Sequence, residues 1–293
     1  MLGTDLAQRF LQSFDVIGAG RGKNSSPDIP YEQLDLIRRD EVEKLLLRHR
    51  PDVVFHCAAM TDVDRCERSP AEAMTNNVGV TENIARACEK TKSFLVFFST
   101  DYVFDGKKKG EYLESDSPAP QSKYGKSKYL AEKCLAESQS AFVIFRACWL
   151  YGRQGKSFPR TIMSRSEDTE KFQIVSDQVG RPTYTKDIAS SLYDLFRKDQ
   201  QQLTRYSGEI FHIANQGSCS WADFAREVFR LAGKNNVSVE EISSETSNRP
   251  AARPANSVMS LKKAEEKLGL RLRNWKEAVR EFVPVLMKEM AEA

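Results

Sequence analysis

The sequence predicts an α/β fold: a doubly wound parallel sheet in the first half of the chain and a smaller α/β region after it. Three observations carry this. Short runs of bulky apolar residues alternate with amphipathic helical stretches, which is the pattern of a parallel sheet with crossover helices. The runs are apolar throughout rather than on alternate residues, as expected of strands covered on both faces. After Trp149 the rhythm changes to shorter, more widely spaced elements, which marks a boundary near residue 150.

The elements follow in order. Thr4 to Ser13 reads as an amphipathic helix, with no strand before it. Phe14 to Ile17 (FDVI) is a short apolar run ending in "GAGRG", so it reads as a strand entering a turn. Asp40 to Arg48 reads as a helix that Pro51 ends, and Asp52 to Ala58 (DVVFHCA) as a buried strand. Ala71 to Lys90 is helical, with Val80, Ile84 and Cys88 on one face. Phe94 to Phe98 (FLVFF) is a buried strand, "DGKKKG" a solvated turn, Pro120 to Ser138 a long helix, and Ala141 to Phe145 the next strand. Beyond Trp149 we expect helices at Ser157 to Ser164, Thr185 to Arg197, Ser220 to Leu231 and Asn274 to Ala291. Strands are expected at Lys171 to Val175 and Glu209 to Ile213. This is a Rossmann-type unit over residues 1–150, followed by a substrate-binding region over 151–293.

Composition narrows the function classes. The chain has 293 residues, 40% apolar and 29% charged, with 44 basic and 41 acidic residues and a net charge of +3. So small a balance gives no case for a nucleic-acid or membrane partner. The six cysteines (Cys57, Cys66, Cys88, Cys134, Cys148 and Cys219) lack metal-like spacing and read as buried thiols in a reducing, cytoplasmic setting. No signal peptide or membrane-length apolar run is visible, and we assign no metal. His56 and His212 lie inside apolar strands and read as core residues, whereas His49 sits at a charged helix end.

The strongest chemical signal is "KYGKSKYLAEK". Tyr124 and Lys128 stand four apart on one helix face. A phenol with a pKa of about 10 is a poor acid at neutral pH. An ammonium about 4 Å away favours the phenolate by roughly 4 kcal/mol at an effective dielectric near 20, enough to bring the phenol into a useful range. Taken alone, Tyr-x-x-x-Lys occurs by chance on many helices. Here the strand FLVFF ends upstream in "STDYVFDG", so Ser99 or Thr100 sits at the carboxyl end of a parallel strand, where open α/β sheets bind ligands.

With "CAAMTDVDRCE", "FFSTDYVFDG", "YGKSKYLAE", "IFRACWLYG", "SDQVGRPTY" and "RPANSVMSL" in that order, the sequence resembles the extended short-chain dehydrogenase/reductases of the dTDP-4-dehydrorhamnose reductase type, from Leu2 to about Val283. The resemblance implies a reduction of the C4 keto group of dTDP-4-dehydro-L-rhamnose. Tyr124 would be the proton donor, Lys128 would hold the nicotinamide ribose and tune Tyr124, and Thr100 would hydrogen-bond the carbonyl. It further implies that Gly3, Ala58, Ala59, Thr61 and Asn77 line the cofactor, with Asp35 and Leu36 near the adenine. Val63, Asp101, Tyr102 and Trp149 would line the sugar pocket. Trp149 also reads as a plain core aromatic. Where an NAD enzyme often carries an acidic residue after the second strand, "GAGRG" offers Arg21. A guanidinium suits a 2′-phosphate, so NADPH is favoured, with NADH as the alternative and a solvated loop arginine as the bland reading.

Two expectations remain open. The family opens with a strand and a TGxxGxLG turn, of which Met1-Leu2-Gly3 matches only the last three positions. The absent strand would be central, leaving Phe14–Ile17 and Phe94–Phe98 without a shared neighbour and the pyrophosphate without its cradle of N–H groups. We therefore expect an N-terminally shortened version of a working protein; the alternative is a chain that has given up cofactor binding. The second open point is function. The regulatory β subunit of methionine adenosyltransferase resembles the same family and works by binding that enzyme, so it is the alternative to catalysis. A reductase of another nucleotide sugar is a third reading, and a homodimer stays open.

Overall fold

The computed structural model describes residues 1–24 and 26–292. The first helix, α1 (Leu2–Phe10), buries Leu2, Leu6 and Phe10 at i, i+4 and i+8. Two three-residue strands follow, β1 (Gly18–Gly20) and β2 (Tyr31–Gln33), and then α2 (Arg39–His49), which Arg50 closes in the left-handed region before Pro51. Next come β3 (Val53–His56), α3 (Val63–Arg68) and α4 (Pro70–Met74). The helix expected over Ala71 to Lys90 is present and runs from α4 into α5 (Val80–Thr91) through a π turn at Thr75–Gly79. Such turns concentrate at functional sites, and this one carries Asn76 and Asn77. The first half ends with β4 (Phe94–Thr100), α6 (Lys123–Glu137) and β5 (Phe142–Ala147).

In the second half the strands are mostly two residues long and invisible to periodicity: β6 (Leu150–Tyr151), β8 (Val179–Gly180), β9 (Thr183–Tyr184) and β11 (Cys219–Ser220). Between them run α7 (Phe158–Arg165), β7 (Lys171–Val175), α8 (Thr185–Lys198), β10 (Ile210–Ile213) and α9 (Trp221–Leu231). The chain closes with β12 (Ser238–Ile242), α10 (Lys262–Leu268) and α11 (Trp275–Ala291).

The main sheet has four parallel strands in the order β10-β5-β4-β3. Every residue of β4 and β5 is buried, which explains their unbroken apolar runs. Phe94, Val96 and Phe98 face one core with α1 and α8; Leu95 and Phe97 face the other with Val42 and Leu46 of α2, Ile84 of α5 and Leu135 of α6. The sheet is thus doubly wound. Thr185 of α8 donates to the buried Asp5 of α1, tying the two helices of the first face together. Residues 185–213 of the expected second region therefore pack with the first. α10 joins the same core through Ala264 and Leu268, and the other elements form a core of their own, centred on Tyr151, Phe224, Val279 and Phe282.

Two expectations are corrected. The run Phe14 to Ile17 is not a strand. Phe14 and Val16 pack against the first core from an irregular segment, and pairing begins only at Gly18, where β1 joins β2 in a separate two-stranded sheet. The expected vacancy borders β3 rather than Phe94–Phe98: β3 and β10 are the two edges of the sheet, whereas β4 is paired with both β3 and β5. Val53, Val54 and Phe55 are accordingly only half-buried. Among the described residues no strand bridges β3 to β1.

One contact sets how closely α6 approaches the strand ends. A Cβ on Gly125 would stand 2.1 Å from the Tyr102 carbonyl oxygen. Gly125→Ala should force the helix off the β4 terminus and cost about 1–3 kcal/mol. The expected result is a fall of several degrees in the thermal unfolding midpoint followed by circular dichroism, and an unchanged midpoint would refute the contact.

Candidate active site

The site forms where the carboxyl end of β4 meets the first two turns of α6. Ser122 caps α6 by accepting from the Gly125 N–H at 3.1 Å. This starts the helix at Lys123 and puts Tyr124 and Lys128 on the face toward the sheet. Lys128 is buried, its Nζ donating to the Phe98 carbonyl at 2.8 Å and standing 3.9 Å from the Phe97 ring centroid. Burial pulls its pKa down to about 7, against a smaller upward pull from Glu132 one turn further on. The half-buried Tyr124 meets Tyr102 edge to face, with ring centroids 5.5 Å apart.

This corrects the electrostatic argument from spacing. Burial pushes the Tyr124 phenol up, only partly offset by a hydrogen bond to Thr100, and Lys128 is not among the groups that shift it. The two residues share a helix face, but the lysine stem carries the ammonium to the strand carbonyl instead. Thr100 stands at the carboxyl end of β4. Its hydroxyl donates to the Asp101 carboxylate at 3.0 Å and accepts from the Tyr102 N–H at 3.3 Å. Asp101 is buried and also accepts from Ser257 at 2.5 Å; burial raises its pKa to about 6 despite these donors.

The other candidate residues fall into three groups. Arg21, Leu36, Ala58 and Ala59 line one cavity of about 320 Å³ with Gly20, Gly22, Cys57 and Asn76, between the carboxyl ends of β1 and β3. Asp35 borders it in sequence, its carboxylate accepting from the Ile37 N–H at 3.1 Å. Thr61 is exposed in the loop after β3, and Val63 opens α3 half-buried. Gly3 lies in the first turn of α1, where a Cβ would meet Cys57 Cβ at 3.3 Å, so it marks close packing of helix on strand end. Asn77 is buried as a brace: Oδ1 accepts from Met60 N–H at 2.7 Å and Nδ2 donates to Ser127 Oγ at 2.8 Å. Ser127 in turn donates to the Tyr124 carbonyl at 2.8 Å.

Trp149 has a left-handed backbone (φ 48°) and stacks on Trp221 at 3.6 Å between ring centroids. Its indole fills the space over Gly180, where a Cβ would come within 2.4 Å of the ring. The "DQVGRPTY" stretch thus seats the tryptophan. Its Arg181 ties three segments together through the Met259 and Gly217 carbonyls and Glu111.

Several residues escaped sequence reasoning. Asp64 on α3 accepts from the Ala251 N–H at 3.2 Å and from Arg253 at 2.9 Å. Asn256 donates to the carbonyls of Lys108 and Gly110. The segment from Ala251 to Ser257 therefore straps the mouth of the site between α3 and the "DGKKKG" loop. That loop is solvated at Lys107, Lys109 and Gly110, as expected, and anchored at its start: Gly106 (φ 73°) packs on Pro254, and Asp105 accepts from the Tyr112 hydroxyl at 2.5 Å. "RPANS" was the only signal in the sequence for this strap. His56 and His212 are buried and hydrogen-bonded to Thr81 and the Ser260 carbonyl; burial takes both pKa values down to about 3. His49 is exposed beside Glu32. No cluster of three potential metal ligands occurs among the described residues.

Comparison with known proteins places the whole chain. The family profile described as RmlD substrate binding domain matches residues 1–287. The spore coat polysaccharide biosynthesis protein SpsK of Bacillus subtilis is 37% identical over 238 residues, 80% of each chain. The dTDP-4-dehydrorhamnose reductase of Sinorhizobium fredii is 34% identical over 88% of each. Among solved structures, the dTDP-4-dehydrorhamnose reductase of Bacillus anthracis in complex with NADP superimposes with a TM-score of 0.83 at 30% identity, covering 92% of this chain and 99% of that one. With the tyrosine, lysine and threonine gathered at one strand end, and a family profile spanning nearly its whole length, the chain belongs to the RmlD substrate binding domain family.

Proposed function

We propose that the protein is an NADPH-dependent reductase that converts dTDP-4-dehydro-L-rhamnose to dTDP-L-rhamnose. The observation that carries the reading is the meeting of Tyr124, Thr100 and Lys128 at the carboxyl end of β4. The names of the relatives set the substrate: they are reductases of dTDP-linked keto sugars and a polysaccharide biosynthesis protein. These relatives lend no support to the alternative of a methionine adenosyltransferase regulatory subunit. The six free cysteines and the lack of a membrane-crossing helix among the described residues fit action in the cytoplasm.

The cavity fits the adenosine end of the cofactor. Leu36, Ala58 and Ala59 offer an apolar slot for a flat ring, Gly20 and Gly22 leave the approach open, and Arg21 supplies a guanidinium for a 2′-phosphate. When bound, the reduced nicotinamide supplies a hydride to C4 of the sugar. Tyr124 then gives its phenolic proton to the C4 oxygen. Burial keeps the phenol protonated until that moment, so it arrives loaded as an acid. Lys128, fixed by its bond to the Phe98 carbonyl, is the residue that would hold the nicotinamide ribose. Val63, Asp101, Tyr102 and Trp149 wall the sugar pocket. Tyr102 stands against Tyr124, and the stacked indoles of Trp149 and Trp221 close the side toward the second core.

Three measurements test the reading. Tyr124→Phe should lower kcat for the keto sugar by about 10²–10⁴-fold while leaving NADPH binding, followed by fluorescence, unchanged; wild-type turnover would overturn it. Arg21→Ser should raise the KM for NADPH while sparing that for NADH, narrowing the preference between them. Lys128 gives a stability signature. Its folded pKa of about 7 lies below its unfolded value, so between the two the unfolded chain binds more protons and stability rises with pH. Urea denaturation should show a gain from neutrality toward pH 10 that Lys128→Met flattens.

A further inference from the structure

We infer that Ser127 is a positioning residue: it accepts a hydrogen bond from Asn77, gives its own proton to the Tyr124 carbonyl, and so fixes the Tyr124 turn of α6 against the loop that follows β3. The inference rests on the reductase reading for its kinetic consequence, though not for its geometry.

The direction of each bond follows from counting protons. The Met60 N–H can only donate, so the Asn77 atom that meets it at 2.7 Å is the amide oxygen, and the other is the nitrogen. That nitrogen has two protons, and both have acceptors: the Met60 carbonyl at 3.2 Å and Ser127 Oγ at 2.8 Å. An amide nitrogen does not accept, so Ser127 keeps its single proton for the Tyr124 carbonyl, 2.8 Å away. The same carbonyl belongs to the helical ladder of α6, where its other lone pair takes the Lys128 N–H. Asn77 and Ser127 are almost fully buried, so water does not compete for these bonds.

The brace is rooted in the sheet. The backbone carbonyl of Asn77 accepts from the Thr81 hydroxyl at 2.6 Å. With its proton spent there, Thr81 accepts from Nε2 of His56, on β3, at 3.0 Å. Thr81 is buried as well, so every bond from β3 through α5 and the π turn to α6 has a fixed sense. The brace also joins two parts of the site. Ala58 and Ala59, which immediately precede Met60, line the cavity, whereas Ser127 stands between Tyr124 and Lys128. Gly125 sets how closely this turn presses on the β4 terminus; Ser127 sets its distance from the cavity loop. A misplacement of about 1 Å between reacting groups can cost about 100-fold in rate, so this distance bears directly on proton delivery by Tyr124.

Two readouts decide the matter. Among the tyrosines only Tyr124 and Tyr151 precede a glycine, so carbonyl-carbon-13 tyrosine combined with nitrogen-15 glycine isolates their carbonyls in NMR of the ligand-free protein. Ser127→Ala should move the Tyr124 signal upfield, as a carbonyl moves on losing a hydrogen bond, and leave that of Tyr151 in place. Asn77→Asp should move it the same way with the serine still present, because a carboxylate only accepts and draws the Ser127 proton to itself. In turnover, Ser127→Ala should lower kcat about tenfold, the scale of one lost hydrogen bond. It should cost nothing further when added to Tyr124→Phe, since it acts through Tyr124; a merely structural loss would carry over in full. Thermal unfolding checks that each variant folds, and Asn77→Asp carries the test if Ser127→Ala does not. A Tyr124 carbonyl that ignores the substitutions, or an equal loss of kcat in both backgrounds, overturns the inference. Failure of the wild-type protein to reduce the keto sugar overturns the reductase reading alone, because the carbonyl shift is read without substrate.

Discussion

The geometry of the site depends on one buried ion pair. Glu132, on the third turn of α6, receives two hydrogen bonds from Arg146 of β5, at 3.0 and 2.7 Å, with both side chains almost fully buried. The fork-to-fork contact fixes distance and rotation together. It prevents α6 from turning about its axis, and Lys128 and Tyr124 lie about one and two turns from it. Arg146 also stands 5.0 Å from the Phe104 ring centroid and beside His212, so the same cation orders the loop leaving β4 and the edge strand β10. Pairs of this kind contribute little net stability, but removing one partner leaves a charge buried without relief, at about 3–5 kcal/mol. The helix is therefore held by a contact far more costly to break than it was favourable to make.

From that anchor the construction runs outward. Gly125 lets α6 press on the Tyr102 carbonyl, Lys128 reaches the Phe98 carbonyl, and Ser127 meets Asn77 of the π turn. The π turn displaces its asparagine from the helical repeat, and this lets one side chain hold both the Met60 loop and α6. The site is thus rigid on the first-half side. On the other side it is covered by a strap whose grip is polar and partly exposed, through Asp64, Arg253 and Asn256.

Legibility from sequence followed the physics of each signal. Buried parallel strands announce themselves by unbroken apolar runs, so β4 and β5 were plain in FLVFF and AFVIF. The long helices were plain for the same reason: α9 and α11 each bury one continuous stripe. Phe14 to Ile17 misled because Phe14 and Val16 are apolar for the sake of the core and not of a ladder. Two-residue strands carry no period to detect. At the site, the cluster of Thr100, Tyr124 and Lys128 was legible from spacing, but the direction of each hydrogen bond was not. Lys128 chooses a strand carbonyl and Thr100 a carboxylate, and both choices depend on partners distant in the chain or on burial that only the assembled fold produces. Ser257 stood in a quoted motif, yet nothing in its neighbours points to Asp101, 156 residues away.

The seat of Trp149 has an implication for redesign. The indole lies flat on Trp221 and occupies the volume that any side chain at Gly180 would claim, while its own backbone sits in a conformation few residues accept. Positions 149 and 180 therefore behave as a single unit of volume. A larger residue beneath must be accompanied by a smaller ring above, and an engineer who wishes to admit a bulkier sugar has to rewrite both at once.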